Sequence, residues 1–338
     1  MLGAWTTALA LAVATPFVPN DPGYEANRAS LEAMSVPQAW SVTQGDPAVV
    51  IAVLDTGVAQ VRDLELTPGF NAIDDSANTA DENGHGTAMA AIAGAAIDNG
   101  IGIAGVCGKC RIMPIKTDAA HLGTAVDWAV AHGASLIDVS CAAGGLSLGT
   151  AIKNAVSHGV PVFVCAGADA DPAAVRVGPF AQGSPSDASV DVEAESSFTT
   201  FGPWPSPGGA SSATAAVAGI AALMVSCNPA VTPPEIKRIL HTPGEVNAYE
   251  AVERAGCRAT PTAIVRLMVR TRGRGTVSKR PDDDTYDAGA KVVLRAKPKR
   301  GWRFVRWSGV CRGQGAACTV RLMQSGVTTA VFRRKSGV

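Results

Sequence analysis

No continuous apolar run in this sequence reaches the roughly 18 residues that span a bilayer. The longest, ATAAVAGIAALMV from Ala213 to Val225, has the length of a buried helix instead, so no transmembrane segment is expected. A second CxxC is also missing: CGKC at Cys107–Cys110 stands alone among the eight cysteines, which excludes a zinc site built from two close pairs. A thioredoxin-like redox motif would need a helix after the pair, and the strand-like RIMPIK follows. No motif that reads RNA or DNA is present. Net charge is absent too, with 29 Lys+Arg against 29 Asp+Glu.

That neutrality conceals two opposed halves. From Arg258 to Val338 there are 19 Lys+Arg and 4 Asp+Glu, a net charge of +15, which leaves residues 1–257 at −15. The chain has 338 residues, 47% of them hydrophobic, with 36 Gly. That suffices for a sizeable core with close backbone approaches and for a small additional module.

Three separated stretches hold residue types that act together in hydrolysis. VLDTGV places Asp55 at the end of the apolar run VVIAVLD, which has the pattern of a buried parallel strand. NGHGTAMA sets His85 between two glycines and leads into an Ala-rich helix. GGASSATAAVAG puts Ser211 after Gly208 and Gly209 at the start of a small-residue helix, with its hydroxyl and N–H at the helix N-terminus. A serine hydroxyl is a weak nucleophile at neutral pH; it needs an imidazole to take its proton and a carboxylate to hold that imidazole in the right tautomer. Each residue alone has a plainer role, as turn former or helix cap. Jointly they predict Ser211, His85 and Asp55 in those three catalytic roles.

The chain resembles the subtilisin-like serine proteases, the subtilases, whose triad has the chain order Asp, His, Ser. The resemblance runs from NDPGYEAN at Asn20 and VPQAWSVTQG at Val36 through GIGIAGV at Gly100 and AVDWAVAHGASLIDVS at Ala125. It continues with GVPVFVCAGA at Gly159 and NPAVTPPEIKRIL at Asn228, and ends with EVNAYEAV at Val252. It implies a serine endopeptidase that acts on polypeptides through an acyl-enzyme. VVIAVLD, IMPIKT, SLIDVS and VPVFVCAG have the pattern of parallel core strands, with HLGTAVDWAVAHG and TAIKNAVSHG as helices between them. The expected fold is therefore α/β, a doubly wound, mostly parallel sheet, with the site where strands end and helices begin. His121, His132, His158 and His241 fall on or beside helices away from those junctions.

Two departures from the family pattern bear on activity. Subtilases usually read GTSMATPHVAG around the serine, whereas this chain has Ala210, Ser212, Ala215 and Ala216 in place of Thr, Met, Pro and His. In VFVCAGADA the family's Asn, the side-chain donor of the oxyanion hole, is Ala168. Loss of that donor in subtilisin itself costs about 10²–10³ in turnover. Asp169, next along, is a poor substitute when ionised because a carboxylate only accepts hydrogen bonds. The resemblance thus leaves two readings open: a peptidase with a weakened oxyanion hole, or an impaired pseudoprotease that binds peptides or cell envelope.

Residues 1–14, MLGAWTTALALAVA, have the short apolar centre and A-x-A ending of a secretory signal peptide, without Lys or Arg before the apolar part. Subtilases commonly carry a pro-region. The short interval between Ala14 and SLEAMSVPQAW leads to the expectation either of unaided folding or of a start farther upstream. A secreted, periplasmic or cell-surface location would permit disulfides: a local Cys107–Cys110 bridge is expected, and Cys311–Cys318 and Cys227–Cys257 are plausible pairs. Cys141 and Cys165, in apolar strands, read as buried free thiols. Resemblance also suggests a structural calcium site at Asp63 and the loop Ile97 to Gly102, with an ordinary surface turn as the alternative. No metal or other cofactor is assigned. The wall of the specificity pocket falls, by resemblance, on SCAAGG at Ser140 and AGAD at Ala166.

Beyond Cys257 the pattern changes to short alternating strands, AIVRLMVR, KVVLRAKP, WRFVRW, CTVRLM and TTAVF, parted by Gly-containing turns. This part resembles one divergent internalin B-repeat, through GRGTV, the turn Tyr286-Asp287-Ala288-Gly289-Ala290, FVRWSGVC and the final AVF. The expected organisation is a signal peptide at 1–14, a peptidase domain at 15–257 and a basic all-β domain at 262–335. The basic surface would hold anionic cell-envelope polymer or the acidic catalytic domain, with nucleic acid well behind. Trp302, Phe304 and Trp307 fit a small β core better than a base-stacking platform.

Overall fold

The computed structural model describes residues 16–140, 146–166, 171–180, 189–200, 208–257, 264–287, 289–322 and 325–335. Residues 1–14, expected from the sequence to be a signal peptide, lie outside them. The chain divides into two units, Met1–Ala259 and Thr260–Val338.

In the first unit the elements follow as α1 (Tyr24–Ala33), α2 (Val36–Ala39), β1 (Val50–Asp55), β2 (Phe70–Asn71), α3 (His85–Gly94), β3 (Arg111–Lys116), α4 (Leu122–Ala131) and β4 (Leu136–Val139). Next come α5 (Leu146–Ser157), β5 (Val162–Cys165), β6 (Val175–Pro179), β7 (Val192–Ala194), α6 (Gly209–Cys227), α7 (Pro233–Leu240) and α8 (Ala248–Arg254). The seven strands form one sheet in the order β2-β3-β1-β4-β5-β6-β7, and every pairing is parallel. This is the doubly wound α/β architecture that the strand and helix patterns predict.

β1 explains how one strand serves two cores. Successive side chains of a strand point to opposite faces. Ile51 and Val53 join the cluster formed with α3 and α6, while Val50, Ala52 and Leu54 join the cluster formed with α4 and α5. A strand buried on both faces has no polar alternation, as VVIAVL shows. α6 is the one described helix long and apolar enough to cross a membrane, and Ser212 to Met224 are buried within the core. Its small residues allow close approach to α3: a Cβ at Gly219 would lie 2.9 Å from the Ala93 carbonyl oxygen.

The second unit is all β. Its strands are β8 (Ile264–Val265), β9 (Leu267–Arg272), β10 (Gly275–Arg280), β11 (Tyr286–Asp287), β12 (Ala290–Pro298), β13 (Trp302–Gly309), β14 (Ala317–Leu322) and β15 (Gly326–Arg334). They make two three-stranded sheets, β10-β12-β14 and β13-β15-β9, and the pair β11-β8. Val292, Leu294, Trp307 and Phe332 are at the centre of its core, and Phe304 packs against Trp307.

Disulfides join Cys107 to Cys110, Cys227 to Cys257 and Cys311 to Cys318, as the spacing suggested. Cys165 corrects the reading of a free thiol, for it too is disulfide-bonded, and no described cysteine is free. Its burial in an apolar strand looked like thiol packing. Cross-linking depends on which strand ends meet in space, which the local pattern does not encode. Cys141 lies outside the described residues.

Candidate active site

The strand order turns at β1, with β3 and β2 on one side and β4 to β7 on the other. In open α/β sheets a crevice forms at the C-terminal strand ends beside such a reversal. Asp55 ends β1, Thr117 follows β3 and Ser140 follows β4. With Leu54, Thr56, Asn83, His85 and Ser211, these three line a cavity of about 430 Å³. The three residues singled out in the sequence therefore meet at one wall, although 30 residues separate Asp55 from His85 and Ser211 lies much farther along.

His85 Nδ1 is 2.8 Å from both carboxylate oxygens of Asp55. The Asp55 side chain is 4% exposed and that of His85 29%, so the carboxylate sits behind an imidazole that reaches the cavity. Asp55 Oδ1 also accepts the Thr56 N–H at 2.7 Å. The hydrogen bond to Asp55 raises His85 above its ordinary 6.5; burial works against this, and the charges of Asp55, Asp138 and Asp81 reinforce it.

The entry to α3 is fixed by Asp81, which the sequence reading passed over. Its Oδ1 accepts from Thr56 Oγ1 at 2.9 Å and from the N–H groups of Asn83 and Gly84 at 3.0 and 2.8 Å. Its Oδ2 accepts from the N–H and Oγ1 of Thr87 at 2.9 and 2.6 Å. Burial opposes ionisation here, but the bonds from Thr87 and Gly84 outweigh it and hold Asp81 below the usual carboxylate range. An acidic residue in a short polar run before a helix is the signal that could have marked it.

Ser211 lies in the first turn of α6, whose N-cap Gly208 has φ +62° and whose first residue, Gly209, has φ +63°. That left-handed backbone suits glycine. N–H groups in the first turn have no acceptor within the helix, so they remain available as donors. Ser140 Oγ lies 2.9 Å from Asp138 Oδ1 and 3.2 Å from the Ser211 carbonyl oxygen. Among the described residues no hydrogen bond joins the Ser211 hydroxyl to His85; the two side chains share the cavity. Ala168, Asp169 and residues 141–145, expected at the oxyanion hole and specificity wall, lie outside the described residues. His121 and His132 flank α4, His158 follows α5 and His241 caps α7, away from this cavity.

The loop considered for calcium is tied by its own donors. Asp63 accepts from Asn99 Nδ2 at 2.7 Å and from the Ile103 N–H at 3.0 Å, while Asp21 accepts the N–H groups of Asp98 and Asn99. Both carboxylates thus serve the loop backbone and Asn99, and no group of three or more His, Cys, Asp or Glu suited to a metal occurs among the described residues.

Residues 46–202 match the family model described as Subtilase family, and residues 265–336 match the Divergent InlB B-repeat domain. Ser211 lies beyond the first match. Thermitase of Thermoactinomyces vulgaris is 29% identical over 282 residues, covering 70% of this chain and 100% of that protein. The thermophilic serine proteinase of Bacillus sp. strain AK1 is 29% identical over 241 residues, and the chain spans 60% of its length. Among solved structures, one titled as proteases from Pseudoalteromonas arctica PAMC 21717 aligns with a TM-score of 0.62 at 23% identity. It covers 70% of this chain and 99% of that one. That likeness establishes the fold alone.

Proposed function

From a chain that carries a subtilase domain followed by a divergent InlB B-repeat domain, we propose a serine endopeptidase that cleaves polypeptides by means of Asp55, His85 and Ser211. The observation that carries this reading is the His85–Asp55 pair, bonded at 2.8 Å and facing the cavity that Ser211 also lines. A peptide binder has no chemical need for that pair.

In this mechanism Ser211 Oγ attacks the scissile carbonyl carbon while His85 Nε2 takes the hydroxyl proton. Asp55 holds the Nδ1–H tautomer and stabilises the imidazolium. The oxyanion receives the Ser211 N–H at the start of α6, where the helix dipole favours negative charge. His85 then protonates the departing amine, and water hydrolyses the acyl-Ser211 ester by the reverse proton path. With Ala168 in place of the family's Asn, one side-chain donor is missing, so turnover is slow: a loss of about 10²–10³ fits a single missing oxyanion donor. Because His85 must be neutral to act as base, activity rises with pH through a value above 6.5.

The test is labelling of the purified protein by a serine-directed fluorophosphonate, followed by peptide release from casein. Labelling that disappears in Ser211→Ala, together with release, is expected. Labelling without release favours the pseudoprotease reading, and absence of both ends the hydrolase proposal.

The relatives include proteins named as extracellular proteases, and the disulfides suit an oxidising compartment; export is part of the proposal. We assign the basic module to anionic cell-envelope polymer. On one face of β10-β12-β14, Ser278 stands opposite Arg295, Arg280 opposite Val293 and Lys291 opposite Arg321. A concavity of about 420 Å³ lies among Ser278, Arg280, Val293 and Arg295. Retention of the whole protein on phosphocellulose is expected, with elution at lower salt for the double variant Arg280→Glu/Arg295→Glu. Identical elution would count against this face.

A further inference from the structure

Behind the candidate nucleophile lies a carboxyl group that the mechanism does not use. Asp138 is on β4, opposite Val53 of β1 and Phe163 of β5, and is fully buried. Its Oδ1 is 2.9 Å from Ser140 Oγ, which in turn is 3.2 Å from the carbonyl oxygen of Ser211. Among the described residues its Oδ2 has no hydrogen-bond partner.

The proton count decides how this chain is wired. A serine hydroxyl has one hydrogen and two lone pairs. If Asp138 were ionised, Ser140 would have to give its hydrogen either to the carboxylate or to the Ser211 carbonyl. An unpartnered oxygen of a buried anion would also remain, a costly arrangement. With the carboxyl group neutral, both bonds form at once and run in one direction.

We infer that Asp138 is a positioning residue: its carboxyl O–H donates to Ser140 Oγ, and the Ser140 O–H donates to the Ser211 carbonyl, pinning the first turn of α6 against the C-terminal end of β4. The inference rests on the reading of Ser211 as nucleophile. Asp138 never touches substrate; it acts through Ser140 on the backbone that carries the reacting hydroxyl and the oxyanion-facing N–H.

The surroundings favour the neutral form. Burial raises Asp138, the bond from Ser140 opposes this, the Asp55 charge at the end of β1 raises it further and His85 at the start of α3 lowers it, with the result at about 7. Phe163 stands opposite on β5, and α6 contains no Asp, Glu, Lys, Arg or His. As pH passes about 7 the O–H donor is lost, the Ser140 hydrogen turns to the carboxylate, and the Ser211 carbonyl is released. The new charge also favours the protonated form of His85, since Asp138 acts on it in that direction. The charge moves the rising limb set by His85 to higher pH, and loss of the bond to the Ser211 carbonyl adds an alkaline limb.

The rate of fluorophosphonate labelling from pH 5 to 9 tests this on the full chain, alongside amide hydrogen exchange across residues 209–215 in the same samples. In the parent, labelling should fall about fivefold from its maximum by pH 9, a modest loss for a displaced reacting group. Exchange in that segment, corrected for its intrinsic pH dependence, should rise over the same interval. Asp138→Asn keeps an N–H donor for Ser140 and cannot ionise, so both alkaline changes should vanish. Ser140→Ala should label more slowly and without the alkaline limb. The parent's alkaline limb and exchange rise persisting in Asp138→Asn, or both being absent from the parent, would overturn the inference. Absence of labelling at every pH with the exchange change intact would instead remove Ser211 as nucleophile while leaving the hydrogen-bond chain in place.

Discussion

Gly86 lies so close to Asp55 that a Cβ on it would meet the Asp55 Cβ at 2.9 Å and collide more closely still with the Gly57 carbonyl oxygen. Real side chains do not tolerate such approaches, and the second contact is with backbone, which cannot swing aside. The small residue beside His85 is what lets the start of α3 rest against the end of β1, and that contact sets the 2.8 Å bond between imidazole and carboxylate.

Gly86→Ala should therefore separate His85 from Asp55 rather than merely crowd a loop. A misplacement of about 1 Å in catalytic geometry costs on the order of 10²-fold, and that loss in fluorophosphonate labelling rate is expected. A labelling rate within twofold of the parent would show that α3 can shift without disturbing the pair.

Asp81 acts one layer farther out, through five hydrogen bonds to Thr56, Asn83, Gly84 and Thr87. Asp81→Ala leaves those donors partly buried and unserved, and such loss typically costs about 1–3 kcal/mol. The melting temperature should fall and labelling should slow, because the loop that aims His85 loses its anchor. Thermal unfolding followed by circular dichroism checks the first and labelling kinetics the second. Unchanged values for both would mean that water replaces the carboxylate without consequence.

The strands and the residues Asp55, His85 and Ser211, which line one cavity, were legible because they depend on local patterns. VVIAVLD is apolar throughout since β1 feeds both cores, and the glycines around His85 and before Ser211 mark places where backbone geometry or close approach excludes larger residues. Asp81 and Asp138 were not legible. Nothing within a few residues of Asp138 reveals that β4 lies between β1 and β5, or that its side chain falls behind Ser211. The same holds for Cys165, whose bonding depends on which strand ends come together. Local sequence encodes periodicity and turns; the partners of a buried polar atom are set by topology.

Ser212 stands where the resemblance leads one to expect Met. It is fully buried in α6, and its hydroxyl has no hydrogen-bond partner among the described residues. An unserved buried hydroxyl costs roughly 1–3 kcal/mol. Ser212→Ala removes that oxygen with little change in volume, so stabilisation by about 1 kcal/mol is expected, or roughly 2–4 °C in melting temperature for a domain of this size. A decrease would indicate that the hydroxyl is satisfied in solution.

Asp191 supplies the pH-dependent case. Its carboxylate accepts from Arg176 Nε and Nη2 at 2.9 and 3.0 Å and lies 2.9 Å from Lys237 Nζ, joining β6 to α7 ahead of β7. Burial works against the charge, but Arg176 and then Lys237 prevail and hold it at about 2, against an ordinary 3.8. A carboxylate depressed in the folded state contributes stability that is complete above its unfolded value and lost as pH falls through the folded one. The window here runs from about pH 4 down to about pH 2, and the contribution above it is about 2 kcal/mol. Asp191→Asn should therefore melt several degrees lower than the parent at pH 7, and the gap should narrow as both are titrated from pH 4 towards pH 2. A gap that stays constant across that range would assign the loss to packing of the amide, and remove the ion cluster as the source of acid sensitivity at this edge of the sheet.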